Sequence, residues 1–118
     1  TQWLENEAMM DAVTALSGSG PAYLFLVIEA LQQAGCKLGL SEESSRVLAL
    51  QTAFGAAKMA LESSDSSEEL RRRVTSPGGT TERAIGILEE GDIRGLFEQA
   101  LSGARDRAQE LAEELGAE

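Results

Sequence analysis

Histidine is absent from the 118 residues, and the chain has one cysteine, one tryptophan and two prolines. Without histidine, the side chain that titrates nearest neutrality and the commonest metal ligand are both missing. Chemistry built on a histidine base or a histidine–metal centre is therefore excluded. Cys36 has no second cysteine with which to close an intrachain disulfide or build a cysteine metal cluster. Lying in an apolar segment, it reads as a small core residue, and no metal site is expected. Positive charge is also scarce: 10 Lys and Arg stand against 20 Asp and Glu, a net charge of −10. Nucleic-acid partners need a basic footprint, so this balance argues against them. It keeps the chain soluble and repels anions at long range, so an anion site here must act through local donors. The acidic start, Thr1-Gln2-Trp3-Leu4-Glu5-Asn6-Glu7, has no basic stretch followed by an apolar block and is not a secretory leader. It begins without methionine, as a piece of a longer protein would. Period-two alternation is missing throughout, which leaves an all-α chain. At this length it forms at most one domain, expected to bury roughly two thirds of its unfolded surface.

What the chain does have is a succession of helical patterns broken by small residues. Residues 6–16 carry Met9, Met10, Val13 and Leu16 on one side of a first helix. Ser17-Gly18-Ser19-Gly20-Pro21 follows and reads as a flexible helix-to-helix joint, with proline opening the next helix. It is neither a nucleophile elbow, since Ser17 stands where the first glycine belongs, nor a dinucleotide fingerprint, since it follows a helix pattern and lacks the third glycine. Residues 23–28 are apolar all round the next helix, which must be covered on every side. The apolar block is far short of the ~20 residues a membrane span needs. A domain this small struggles to enclose such a helix, so a partner chain is the expected cover. Gly35 and Gly39 supply stop signals.

Ser41 then caps a helix to about Glu62, with Glu42 and Glu43 in its first turn. Val47, Leu50, Phe54, Ala57 and Leu61 form its apolar stripe, and Ala49, Ala53, Ala56 and Ala60 form a flatter flank suited to close helix approach. Ser66 and Glu69 have the spacing of a capping box for a short helix over residues 68–74. Arg71, Arg72 and Arg73 fall in its last turn, where cations suit the helix dipole. Gly91 closes the helix that includes residues 82–90, and Asp92 caps the last one. Ile93, Phe97, Ala100, Ala104, Ala108, Leu111 and Leu115 there make a long packing seam.

The most specific stretch is Ser76-Pro77-Gly78-Gly79-Thr80-Thr81-Glu82. Pro77 biases Ser76 away from helix and so ends the preceding one. Gly78 and Gly79 leave the backbone open to close approach. Thr80 and Thr81 bring hydroxyls to a helix start whose N–H groups lack partners. Together these features make a plausible carboxylate or phosphate cradle, although a capped helix start after a tight turn accounts for the same residues.

Two of these stretches, Asp11-Ala12-Val13-Thr14-Ala15-Leu16-Ser17-Gly18-Ser19-Gly20-Pro21-Ala22-Tyr23 and Val74-Thr75-Ser76-Pro77-Gly78-Gly79-Thr80-Thr81, closely resemble the signature stretches of pyrroline-5-carboxylate reductase. The break over residues 35–40 and Gly55-Ala56-Ala57-Lys58-Met59 resemble that family as well. The resemblance covers residues 1–118 as the family's C-terminal helical domain; the family's N-terminal Rossmann domain has no counterpart in these residues. It implies a multi-helix bundle that interlocks with a second copy as a homodimer, with rings of dimers as a further level the sequence leaves open. The implied reaction is reduction of the cyclic imine 1-pyrroline-5-carboxylate to L-proline in the cytoplasm, with hydride from NADPH or NADH held mainly by the Rossmann domain. Neither nucleic acid nor membrane takes part. Thr81 would hydrogen-bond the ring nitrogen, and Ser76 with the backbone around Gly78, Gly79, Thr80 and Thr81 would hold the substrate carboxylate. Ser17, Gly18, Ser19 and Gly20 would lie near the nicotinamide, and Arg73 would approach the cofactor from the partner chain. An already protonated imine needs only hydride delivery, which suits a chain without histidine. The alternatives are a non-catalytic helical dimerisation module and a carboxylate-binding regulator.

Overall fold

The computed structural model describes residues 2–117, and side chains for residues 5–116. Six α-helices follow one another, α1 (Gln2–Val13), α2 (Gly20–Lys37), α3 (Glu42–Glu62), α4 (Ser67–Arg73), α5 (Thr80–Glu90) and α6 (Ile93–Ala117). No strand occurs among the described residues, so the chain is all-α as its periodicity requires.

The expected flexible joint after the first helix is instead ordered helix. Thr14–Gly18 form a π-turn between α1 and α2, closed by the Ser19 N–H donating to Thr14 O at 2.9 Å. Ser19 keeps right-handed helical dihedrals, φ −86° and ψ −15°. The widened turn is held by two hydroxyls. Tyr23 donates to the carbonyl of Ala15 at 2.8 Å, and Ser17 donates to that of Val13 at 2.9 Å. Small residues here permit a π-turn rather than a hinge, and π-turns concentrate at functional sites.

The end of α2 shows why one glycine stops a helix and another does not. Gly35 was an expected stop, yet the helix runs through it to Lys37. Gly39 is the terminator, with φ +106°. The Leu40 N–H reaches Gly35 O at 3.1 Å and the Gly39 N–H reaches Cys36 O at 3.0 Å, the paired bonds of a Schellman end. Gly35 serves packing: a Cβ there would stand 2.8 Å from the Ser45 hydroxyl. Ser45 is buried and lies 3.6 Å from the Cys36 thiol.

The remaining caps follow the sequence in part. Ser41 accepts from the Ser44 N–H and Ser66 from the Glu69 N–H, each at 3.1 Å. Glu69 does not return the capping-box bond; its carboxylate lies 3.9 Å from Arg73. At the α5–α6 junction the left-handed residue is Asp92, φ +59°, not Gly91. Asp92 accepts from the Gly95 N–H at 3.2 Å, and a side chain on Gly95 would collide with that carboxylate. Gly95 thus leaves room for the cap.

The chain forms two compact units, one over Phe25–Leu88 and one from the residues flanking it on both sides. In the flanking unit α6 packs on α1 and on the π-turn, with Ala15 only 2% exposed. Of the expected seam on α6, Ile93, Ala104 and Ala108 are half-buried, as is Leu101 beside them, while Phe97, Ala100 and Leu111 are exposed and Leu115 is 74% exposed. In the other unit the first half of the small flank of α3 is covered, with Ser45 and Ala49 buried and Ala53 half-buried, while Ala56 and Ala60 are exposed. Its large stripe, Val47, Leu50, Phe54 and Leu61, faces outward.

Ala15 and Ala49 are the only buried hydrophobic residues described. The accessible surface is 9546 Å², whereas a folded monomer of 12.5 kDa exposes about 6,200 Å². Only about half of the unfolded surface is buried, short of the two thirds expected, because the large side chains lack an apposed surface. Leu24, Phe25 and Leu26 of α2 are each about two thirds exposed. The helical run Glu5–Lys37 continues through the π-turn for 33 residues and, by length and the composition of its most apolar 18-residue window (mean hydropathy 1.3), could cross a membrane. The core helix of a soluble protein passes the same test by length and composition.

Candidate functional site

The turn between α4 and α5 brings five of the sequence-assigned residues together. Thr75 ends the preceding segment by donating its hydroxyl to Arg71 O at 2.6 Å and its N–H to Arg72 O at 3.1 Å. Ser76 O then accepts from the Gly79 N–H at 3.0 Å, with Pro77 and Gly78 at the two central positions. Gly78 has φ +73°, which gives the turn its type II character. Gly79 is needed for a different reason: a Cβ there would come within 3.2 Å of Ser76 O. The glycines read as openings for a ligand therefore first serve the chain's own geometry.

Gly79 O accepts from the Arg83 N–H at 3.3 Å, so Gly79 is the N-cap of α5 and, lacking a side chain, supplies no capping oxygen. The N–H groups of Thr80, Thr81 and Glu82 have no acceptor among the described residues, nor do the hydroxyls of Ser76, Thr80 and Thr81 have partners there. Gly79 and Thr81 are half-buried, and Ser76, Gly78 and Thr80 are exposed. Unpaired N–H donors at a helix start carry about half a positive charge, so the cluster can receive a carboxylate through local donors despite the acidic chain.

Glu82 is the residue to which the sequence reading gave no part. Its carboxylate turns back and accepts from the Gly78 N–H at 3.1 Å. The signal was present: Glu82 stands three residues after the N-cap, at the position from which a capping-box carboxylate reaches back.

Arg73 is paired outside this turn, and the residues from Ser17 to Gly20 belong to the other compact unit. Arg73 Nη2 lies 2.7 Å from Asp65 Oδ2, with Glu69 as a longer partner, and is 57% exposed. Asp65 is itself fixed by donating its N–H to the Ser63 hydroxyl at 3.0 Å. Ser17 and Ser19 belong to the π-turn and spend a hydroxyl and an N–H within it. Gly18 is that turn's last residue and Ser19 its C-cap, and a Cβ on Gly20 would meet nothing within 4 Å.

A protein-family model described as pyrroline-5-carboxylate reductase dimerisation matches residues 7–111. A pyrroline-5-carboxylate reductase from Pseudomonas aeruginosa is 59% identical over 114 residues, which are 97% of this chain and 42% of that protein. Among solved structures, a pyrroline-5-carboxylate reductase from Coxiella burnetii superposes with a TM-score of 0.86 at 55% identity, over 88% of this chain and 38% of the other. The pyrroline carboxylate reductase of Plasmodium falciparum, solved with NADP bound, gives 0.81 at 40% identity, over 83% and 40% of the two chains. The chain thus spans about two fifths of the length of the relatives it matches.

Proposed function

Because the chain belongs to the pyrroline-5-carboxylate reductase dimerisation family, we propose that it is the dimer-forming, substrate-binding part of an enzyme that reduces 1-pyrroline-5-carboxylate to L-proline. The observation that carries the reading is the start of α5, where three unpaired N–H groups and the hydroxyls of Ser76, Thr80 and Thr81 share one rigid turn. A cyclic imino acid presents a carboxylate and a ring nitrogen a short distance apart, which is what such a cluster can hold. The N–H groups of Thr80 and Thr81, with Gly78, Gly79 and Ser76 shaping the turn, hold the carboxylate. Thr81, half-buried and free to donate or accept, orients the ring nitrogen in either protonation state.

NADPH or NADH supplies the hydride that completes the reduction. A dinucleotide's phosphates need a collected set of donors, and residues 17–20 with Arg73 do not fit that need. Ser17 and Ser19 are engaged in the π-turn, and Arg73 is paired with Asp65. In this reading the cofactor is held mainly by residues outside this chain, and residues 17–20 and Arg73 make at most edge contacts with it. A homodimer covers the exposed faces of α2, α3 and α6, and the turn lies where the assembled enzyme brings substrate and cofactor together.

The test is an assay of the full-length enzyme with 1-pyrroline-5-carboxylate, following both NAD(P)H oxidation and L-proline formation. Stoichiometric appearance of proline is the expected result. Loss of NAD(P)H without proline, or no turnover, overturns the assignment.

A further inference from the structure

The Gly78 N–H is the turn donor taken by a side chain, and its acceptor is a carboxylate of the same chain, Glu82 Oε1 at 3.1 Å. We infer that Glu82 is a positioning residue for the imino-acid site: it locks the turn over residues 76–79 so that the free N–H groups of Thr80, Thr81 and Glu82 present a single geometry to a carboxylate. The inference rests on the functional reading above and adds a residue to which that reading gives no role.

Gly79 occupies the N-cap without a side chain, so the usual Ser, Thr or Asp oxygen is not there to fix the helix start. Gly78, at φ +73°, is a conformation that only glycine holds without strain, and glycine equally leaves it for others. The turn thus has one internal backbone bond, from the Gly79 N–H to Ser76 O, and one added tie, the Glu82 carboxylate four residues on. Glu82 sits in the first turn of α5, from which its side chain folds back onto the preceding turn. Because it takes the Gly78 N–H and no other, it ties the turn without occupying the three donors left for a ligand.

The role depends on an acceptor oxygen at that reach, not on charge, and this separates it from a general electrostatic effect. In the full-length enzyme, Glu82→Ala is expected to raise KM for the imino acid about five- to tenfold, the effect of losing a cap-type hydrogen bond, with kcat little changed. Glu82→Gln keeps an acceptor oxygen at the same reach and is expected to restore most of that loss. Amide exchange at Gly78 is expected to be slow in the wild type and in Glu82→Gln, and fast in Glu82→Ala. Wild-type activity with an unchanged KM in Glu82→Ala overturns the inference and leaves the assigned reaction standing. Equal defects in both variants overturn it in favour of a charge effect. A wild-type enzyme inert toward the imino acid sinks the assigned reaction, and the inference with it.

Discussion

Among single residues, Thr81 carries the sharpest prediction. Its hydroxyl has no partner among the described residues, so removing it leaves no orphaned group there and should not disturb folding. Thr81→Ala in the full-length enzyme is expected to lower kcat/KM by roughly five- to hundredfold, the loss of one oriented hydrogen bond worth ~1–3 kcal/mol. Thr81→Ser keeps the hydroxyl and should retain most activity; steady-state kinetics on the two variants decides, and full activity in Thr81→Ala would remove the hydroxyl from catalysis. Tyr23 is the contrasting case, because its partner is the carbonyl of the best-buried residue. Tyr23→Phe leaves that carbonyl unpaired and is expected to cost about 1–3 kcal/mol, read as a lower melting temperature. Site legibility followed the same division. The turn residues were legible because proline, paired glycines and threonines each restrict the backbone in a known way. Glu82 and Tyr23 were not, because their importance lies in which backbone group each side chain reaches, and spacing alone leaves that open.

For the helices and their ends, what sequence revealed and what it hid separate cleanly. Ser41 and Ser66 announced their helices through local chemistry, a hydroxyl meeting an N–H three residues on. Gly35 and Gly39 looked alike as stop signals, yet only Gly39 takes a positive φ, while Gly35 clears space for Ser45. The difference is tertiary, since Ser45 approaches from the following helix, and no local rule contains it. Gly91 and Asp92 repeat the lesson, because the left-handed position fell to the residue whose carboxylate could cap α6 across Gly95. The two glycines at the end of α2, one inside the helix and one just past it, therefore respond to substitution in different ways. Gly39→Ala places a Cβ in a left-handed backbone with open space around it and should cost about 1–2 kcal/mol through strain alone. Gly35→Val meets Ser45 directly and should cost at least as much through overpacking of about 1–3 kcal/mol. Gly35→Ala should fall below Gly35→Val, whereas at Gly39 alanine should already bear most of the penalty; chemical denaturation of the four proteins tests the ordering.

For the whole molecule, the governing fact is a surface too large for the mass. The chain exposes about 3,300 Å² more than a folded monomer of its size. Two copies losing that much each would bury an interface in the range of obligate dimers, which resemble a domain core cut in half. The exposed residues are those a core would use: Leu24, Phe25 and Leu26 on α2, Leu48 and Phe54 on α3, Leu96 and Phe97 on α6. A buried charge makes the decisive probe. In a lone chain Leu26 is 65% exposed, and an aspartate there should change stability by no more than about 0.5 kcal/mol. If a second copy covers α2, the same aspartate becomes an unpaired buried charge costing several kcal/mol, on the order of 3–5. Leu26→Asp is therefore expected to dissociate the protein and unfold it together, giving loss of helicity that deepens as the concentration falls. Sedimentation of the wild type at micromolar concentration should show a dimer, with no folded monomer in exchange. A folded monomeric wild type, or a Leu26→Asp protein as stable as its parent, would mean that α2 is not covered by a second copy, and the exposed apolar surface would need another occupant.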